Sequence, residues 1–330
     1  MKKVLLYFPL SLQRKNIGIV KKCIGITDAF RQKYNTDVFN ESEGKIYFND
    51  ALIKDFSQSK SRLRYYHYNN HFFLGQFSAI RDKIKINKYD IVYIRFSQFI
   101  SIGFLLFLRS LKKNNPQVII SVEIPTYPYR HELNGTMHKI RYWITWFLIP
   151  IFRKYVSNIV TFSRHTKIWN IPAINISNGY YNPDLQQLGA ENIVKNIKPL
   201  NNVFHIGMVA QFSSWHAPDI LINSLYFYFK NRLKSVDVIL HLIGSGPEMN
   251  DYKKYVQTKG LDDKVIFYGE KSTMEIIKIL NNVQVCIGTL GHHRKNIQLD
   301  SSLKNREYAF LGIPMILKTP DLDFLIHFTL

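Results

Sequence analysis

The feature that most constrains this chain is an alternation. Short apolar runs at 3–8, 90–95, 117–122, 158–162, 203–210, 236–243, 264–268 and 283–287 are rich in Val, Ile, Leu and Tyr. Segments with helical character separate most of them, predicted over 19–34, 72–86, 99–113, 136–155, 218–232 and 273–281. Ile19, Ile26 and Phe30 show the helical spacing in the first of these. Strands joined through helices pair in parallel, and helices then cover the sheet faces. Residues 37–53 read as further short strands and 57–70 as a polar, tyrosine-rich loop. A Ser-Asn-Gly turn at 177–179 precedes a polar segment, so the expected organisation is domain 1–182, linker 183–202 and domain 203–330.

Composition narrows the class. A chain of 330 residues with 46% hydrophobic content suits two packed domains rather than a disordered chain. The net charge of +20 asks for an anionic partner: nucleic acid, a bilayer or a phosphorylated substrate. Nucleic acid is set aside, because no recognition motif is present and the basic residues are spread along the chain. Cys23 and Cys286 lack partners at metal-ligand spacing, which points to a reducing, intracellular setting. The N-terminus reads as a first strand rather than a signal peptide. The longest apolar runs, 99–108 and 142–152, fall short of the roughly 20 residues of a membrane span. The second carries Trp143 and Trp146 between Lys139, Arg141, Arg153 and Lys154. It is either a helix lying in a bilayer interface or a buried helix with charged ends.

Three stretches suit an anion. Residues 301–316 read as a short helix capped by Ser301 or Ser302, closed by Gly312 and stopped by Pro314. Lys304 and Glu307 share one face of it, putting a cation, a carboxylate and open amide donors together. On the residues alone, a surface ion pair is the plainer alternative. The turn Gly244-Ser245-Gly246-Pro247 leads from a strand into a helix, where backbone amides can face an anion. From Gly288 to Lys295, glycines stand beside His292, His293, Arg294 and Lys295, either a pyrophosphate site or a solvated basic loop. In the first domain, Gly18 lies in the loop after the first strand, where a substrate can approach the backbone or the chain simply turns. Tyr127 and Tyr129 follow the strand at 117–122 in a loop stiffened by two prolines, placed to stack on a ligand ring.

The run Glu307-Tyr308-Ala309-Phe310-Leu311-Gly312-Ile313-Pro314-Met315-Ile316 resembles the Glu-Ala-x-Ala-x-Gly-x-Pro-Val-Val signature of retaining GT-B glycosyltransferases of the family 4 type. The pattern from Ser301 to Tyr308, and the loop Glu123-Ile124-Pro125-Thr126-Tyr127-Pro128-Tyr129 together with Tyr93-Ile94-Arg95, resemble the subgroup that builds bacterial capsular and extracellular polysaccharides. The resemblance implies an α/β GT-B fold, two Rossmann-like domains facing each other across a cleft. It implies Glu307 on the ribose and Gly244 and Gly246 at the donor diphosphate, where Lys304, Arg294 and His216 are the candidate cations and donors. Gly269 would lie beside the base, and Gly18, Tyr127 and Tyr129 at the acceptor. Related enzymes often carry a histidine after the strand at 117–122 that contacts the transferred sugar. Glu123 stands near that position, as a catalytic or substrate residue or as a carboxylate that orients the loop.

Gln211, Ala217, Ile220 and Leu299 depart from the family pattern, and the C-terminal part reads as shortened after Asp321-Leu322-Asp323-Phe324. The implied activity moves a sugar from a nucleotide-sugar donor to a lipid-linked or oligosaccharide acceptor. It uses no cofactor and no metal, on the ground that no Asp-x-Asp pair is present. The implied location is cytoplasmic, peripheral on the anionic inner face of the cell membrane. A catalytically silent binding or scaffold protein of the same fold is the alternative, motivated by the departures.

Overall fold

Central strands decide how this chain divides. In the computed structural model, residues 1–12, 18–42, 44–57, 75–97, 99–129, 136–181, 202–231, 236–321 and 323–324 are described. They form two compact units, Met1–Ile176 and Ser177–Leu330, each with its own sheet. All of the expected linker except Asn202, and the loop at 57–70 beyond Ser57, lie outside the described residues.

In the first unit, β1 (Lys3–Phe8) is followed by α1 (Gly18–Lys33) and the strands β2 (Asn35–Ser42), β3 (Lys45–Phe48) and β4 (Ala51–Asp55). Then come α2 (Gly75–Ile86), β5 (Ile91–Arg95), α3 (Ile102–Asn114), β6 (Ile119–Glu123) and α4 (Thr136–Phe152). Three short strands close it, β7 (Asn158–Thr161), β8 (Lys167–Ile168) and β9 (Ile171–Asn175). The sheet order is β4-β3-β2-β1-β5-β6-β7-β9-β8. Pairing is parallel except for the β2–β3, β3–β4 and β8–β9 hairpins. Val4, Leu5, Leu6 and Phe8 are fully buried, which is why β1 reads as an unbroken apolar run: both its faces are covered. Helix α3 starts at Ile102 rather than at 99 because the Ser101 hydroxyl accepts from the Phe104 amide and caps it.

The second unit is a five-stranded parallel sheet, ordered β12-β11-β10-β13-β14. Its strands are β10 (Val203–Val209), β11 (Asp237–Ile243), β12 (Val265–Gly269), β13 (Val285–Ile287) and β14 (Met315–Ile316). Its helices are α5 (Pro218–Lys230), α6 (Met249–Thr258), α7 (Thr273–Leu280) and α8 (Leu303–Phe310). Strand order reverses at β10, which pairs with β11 on one side and β13 on the other. In open parallel sheets, the crevice beyond the carboxyl ends at that reversal is where ligands bind.

Candidate donor site

The loops after β10 and β13 meet at the reversal point. The Gly291 amide donates to the Trp215 carbonyl (3.0 Å) and the Leu290 amide to the His216 carbonyl (3.3 Å). The turn after β11 is zipped to the same loop, since the Phe212 amide donates to the Ser245 carbonyl (2.7 Å). These contacts revise the reading of Gly244 and Gly246. A side chain at Gly244 would collide with the Ala210 carbonyl, and one at Gly246 with the Phe212 carbonyl. The Gly244 amide is already donated to the Gly269 carbonyl (2.8 Å). Both glycines let two backbones touch, and at least the Gly244 amide is not open to an anion. Gly269 ends β12 with φ +68 and supplies that carbonyl.

Helix α8 brings Lys304 to this crevice. Its ammonium nitrogen is shut off from solvent and has no hydrogen-bond partner among the described residues. Burial pushes its pKa down to about 8, with Asp300 opposing the shift. His216 and His292 lie within the field of the same charge. Burial, and then Lys304, Lys295 and His292, push His216 down to about 3, so its ring is neutral. The Ser213 amide donates to His216 Nδ1 (3.1 Å), which leaves the ring proton on Nε2 as a donor. Burial also lowers His292, whose Nδ1 has no partner among the described residues and whose Nε2 stands 3.8 Å from Asp300. One buried lysine and two histidines whose pKa values burial lowers thus share a poorly solvated corner of the unit. An unpaired buried ammonium costs several kcal/mol, a cost that an anion beside it relieves.

Glu307 follows on α8, partly buried, with the Tyr180 hydroxyl donating to its carboxylate (3.4 Å). Tyr308 is fully buried and accepts from the Val209 amide (2.8 Å), which lashes α8 to the end of β10. Gly312 takes the left-handed conformation expected of it, φ +64. The capping expectation needs correction. Ser302 is the N-cap residue, but its hydroxyl donates to Asp300 instead of accepting from the helix. The Asp300 carboxylate accepts from the Ser302 amide (2.9 Å).

Sequence reasoning missed the network behind this cap. Arg306, nearly buried, makes a two-pronged pair with Asp321 (2.6 and 2.7 Å) and a further bond to Asp323. Asn305 donates to both Asp300 (2.9 Å) and Asp321 (2.8 Å). The signal was present, an arginine and an asparagine inside a helix with acids on either side, but nothing local pairs them. Asp321-Leu322-Asp323 is also an Asp-x-Asp pair, so the ground given for expecting no metal was mistaken. Both its carboxylates are engaged by Arg306.

Arg294 is not a free cation either. It forms a two-pronged pair with Asp219 (3.1 and 2.6 Å) and donates to the Ser214 carbonyl, tying the segment His292–Lys295 to the start of α5. Beside it, Lys295 lies over the Trp215 ring (3.3 Å). Ala217, which departs from the family glycine, adopts the left-handed conformation (φ 54, ψ 50) and is fully buried. The backbone conformation that glycine favours is kept, at a cost of about 1–2 kcal/mol for a residue with a Cβ.

The residues expected at the acceptor lie in the first unit. A cleft of about 430 Å³ opens at the carboxyl ends of β1, β5 and β6, lined by Leu10, Ile19, Arg95, Thr126 and Tyr129 among others. Gly18 opens α1 and is exposed beside Ile19. Tyr129 touches the cleft but is largely spent on the core, edge-on to Phe96, Tyr142 and Trp169. Tyr127 packs edge-on to His165 (5.0 Å) and Trp169 (6.4 Å). Glu123 is fully buried. Its carboxylate accepts from Lys22 (3.1 Å), Arg95 and the Tyr93 hydroxyl, so it orients the ends of β5 and β6 and does not reach a substrate. Burial lowers Lys22 to about 8 even so, and its ammonium sits over the Phe162 ring (3.7 Å).

No family model matches the sequence, and no curated protein matches it. Solved structures do. HepE of Anabaena in complex with UDP is 13% identical, with a TM-score of 0.56 over 99% of this chain and 83% of that one. Sucrose-phosphate synthase from Thermosynechococcus elongatus is 12% identical, with a TM-score of 0.60 over 97% and 82%. A glycosyltransferase from Rickettsia africae is 15% identical, with a TM-score of 0.58 over 97% and 80%. Identities this low speak for architecture alone, and that architecture is plain: the chain has the GT-B fold of glycosyltransferases.

Proposed function

We propose that the protein is a retaining glycosyltransferase that moves a sugar from a nucleotide-sugar onto a lipid-linked or oligosaccharide acceptor in surface polysaccharide synthesis. The observation that carries this reading is the enclosed ammonium of Lys304, unpartnered among the described residues, at the strand-order reversal of a GT-B donor unit. A donor diphosphate there meets Lys304 and the Nε2 proton of His216. Glu307, three residues further on, offers a carboxylate to ribose hydroxyls. As the sugar leaves, negative charge gathers on the diphosphate, and fixed donors in a poorly solvated pocket stabilise it without reorganising. HepE holds UDP, which supports the donor class. The sequence signature around Glu307 supports retention. Arg95 lines the cleft in the first unit, and behind it Arg95 and Lys22 share the single carboxylate of Glu123, which leaves positive charge at that end of the sheet. That charge suits an acceptor bearing phosphate, and with it a peripheral position on the inner membrane face.

The test is nucleotide release from a panel of UDP- and GDP-sugars by the wild type, Lys304→Met and Glu307→Ala. We expect turnover of at least one donor, reduced roughly 100-fold or more in each variant with the melting temperature retained. A wild type that neither binds nor turns over any donor overturns the reading. It would leave a catalytically silent scaffold of the same fold, the alternative that the commitment of Arg294 to Asp219 favours.

A further inference from the structure

Helix α4 is apolar on both faces, and among the described residues only one face has a partner. Thr145 and Phe152 turn inward: the Thr145 hydroxyl accepts from the Ile100 amide (3.1 Å), and Phe152 is fully buried against Phe96, Phe104 and Trp169. Ile140, Trp143, Phe147 and Ile151 follow at steps of three and four residues, a single helical stripe, with Trp146 beside it. This stripe faces water. Trp143 is 58% exposed, Trp146 56% and Phe147 69%, and their rings pack edge-on against one another. Ile102 at the start of α3, two residues beyond Ile100, is exposed as well. A solvent-facing stripe of a globular helix is normally polar, and a contiguous aromatic patch marks a contact surface.

The charges select the occupant. From Thr136 to Lys154 there is no acidic residue, while Lys139 near the start and Arg153 and Lys154 past the end are exposed. A second copy docked through the same stripe would bring these cations against their own kind with no acid on the helix to pair them. An anionic bilayer accepts both components, aromatic rings at the headgroup level and cations on lipid phosphates. No helix among the described residues is long and apolar enough to cross a membrane, so the contact is interfacial.

We propose that this face of α4 is the surface by which the protein lies on an anionic membrane. The proposal rests on the functional reading above for its purpose, delivery of a membrane-borne acceptor. The contact itself is measured apart from sugar transfer. The intact chain is sedimented with vesicles of equimolar phosphatidylglycerol and phosphatidylcholine, and with phosphatidylcholine alone. Expected are binding to the anionic vesicles, release by high salt, and a blue shift of tryptophan emission. The variant Trp143→Ser/Trp146→Ser/Phe147→Ser should partition roughly tenfold less or weaker still. The variant Lys139→Gln/Arg153→Gln/Lys154→Gln should lose the preference for anionic vesicles by about as much. Circular dichroism should show both variants melting like the wild type, because the replaced side chains are exposed.

Failure to bind anionic vesicles at low salt, or equal binding by the triple serine variant, overturns the proposal. So does a concentration-dependent dimer that this variant abolishes while vesicles are ignored, which would assign the stripe to a second copy. Nucleotide release from a soluble donor separates the two readings. Turnover with no vesicle binding removes the surface and leaves the enzyme, whereas vesicle binding without turnover does the reverse.

Discussion

An ammonium held out of water at Lys304 couples proton binding to anion binding. Burial brings its pKa to about 8 in the folded chain, and an unfolded lysine keeps its proton to about 10.4. Between those values the unfolded chain binds the extra proton, so stability from this group rises with pH across the window and is lowest below about 8. Lys22 contributes in the same direction. Urea denaturation across that window should therefore show a smaller rise with pH in Lys304→Met than in the wild type. A nucleotide diphosphate would restore the charged form, so its binding near the middle of the window should take up a proton. Calorimetry in buffers of different ionisation heat would reveal this, and no buffer dependence would remove Lys304 from the anion site. Glu123 answers a different question. Glu123→Gln leaves Lys22 and Arg95 without their shared carboxylate and should cost about 3–5 kcal/mol of stability. A catalytic role would instead appear as lost kcat with unchanged urea stability.

Helix α8 is a short element made rigid by its attachments: Tyr308 to β10, Asp300 at its cap, and Arg306 to Asp321. Removing one member of the buried pair leaves the other charge without compensation. Asp321→Asn should destabilise the protein by about 3–5 kcal/mol in urea and weaken nucleotide binding through misplacement of Lys304 and Glu307. Replacing Arg306 and Asp321 together by leucine should return much of the stability, which identifies the pair as a positioning device. Arg306 and Asp321 stand fifteen residues apart, and nothing in the local pattern from Ser301 to Tyr308 announces their pairing. That pattern, by contrast, displays its own stop signal, since Gly312 and Pro314 act within one turn of the helix end.

At the scale of the whole molecule, a donor that binds only the folded second unit should stabilise that unit alone. Saturation at about 100 times Kd adds about 2.7 kcal/mol. Trp215 reports on this unit, whereas Trp143, Trp146 and Trp169 belong to the first. Thermal unfolding followed through Trp215, with the other three tryptophans replaced by phenylalanine, should shift upward with nucleotide. Far-ultraviolet dichroism should show part of its amplitude unmoved. A shift of the entire amplitude would mean that the two units unfold as one.

Two parallel α/β units were legible from the sequence alone because apolar runs and helical period are local properties. The short helix ending at Gly312 and the crowding of cations between His292 and Lys304 were legible for the same reason. What those cations do was decided only by tertiary structure. Arg294 is neutralised by Asp219, 75 residues earlier, while Lys304 has no hydrogen-bond partner among the described residues. Glu123 is shut in by Lys22, 101 residues away, and by Tyr93 and Arg95. The glycines of the turn after β11 serve a backbone contact with residues 210–212 that no spacing rule contains. That helix α4 buries one face and turns an apolar stripe to water is likewise a fact of the tertiary structure. Periodicity acts along the chain, whereas charge pairing, desolvation and close backbone approach act through space, and the order of residues does not by itself fix which distant groups will meet.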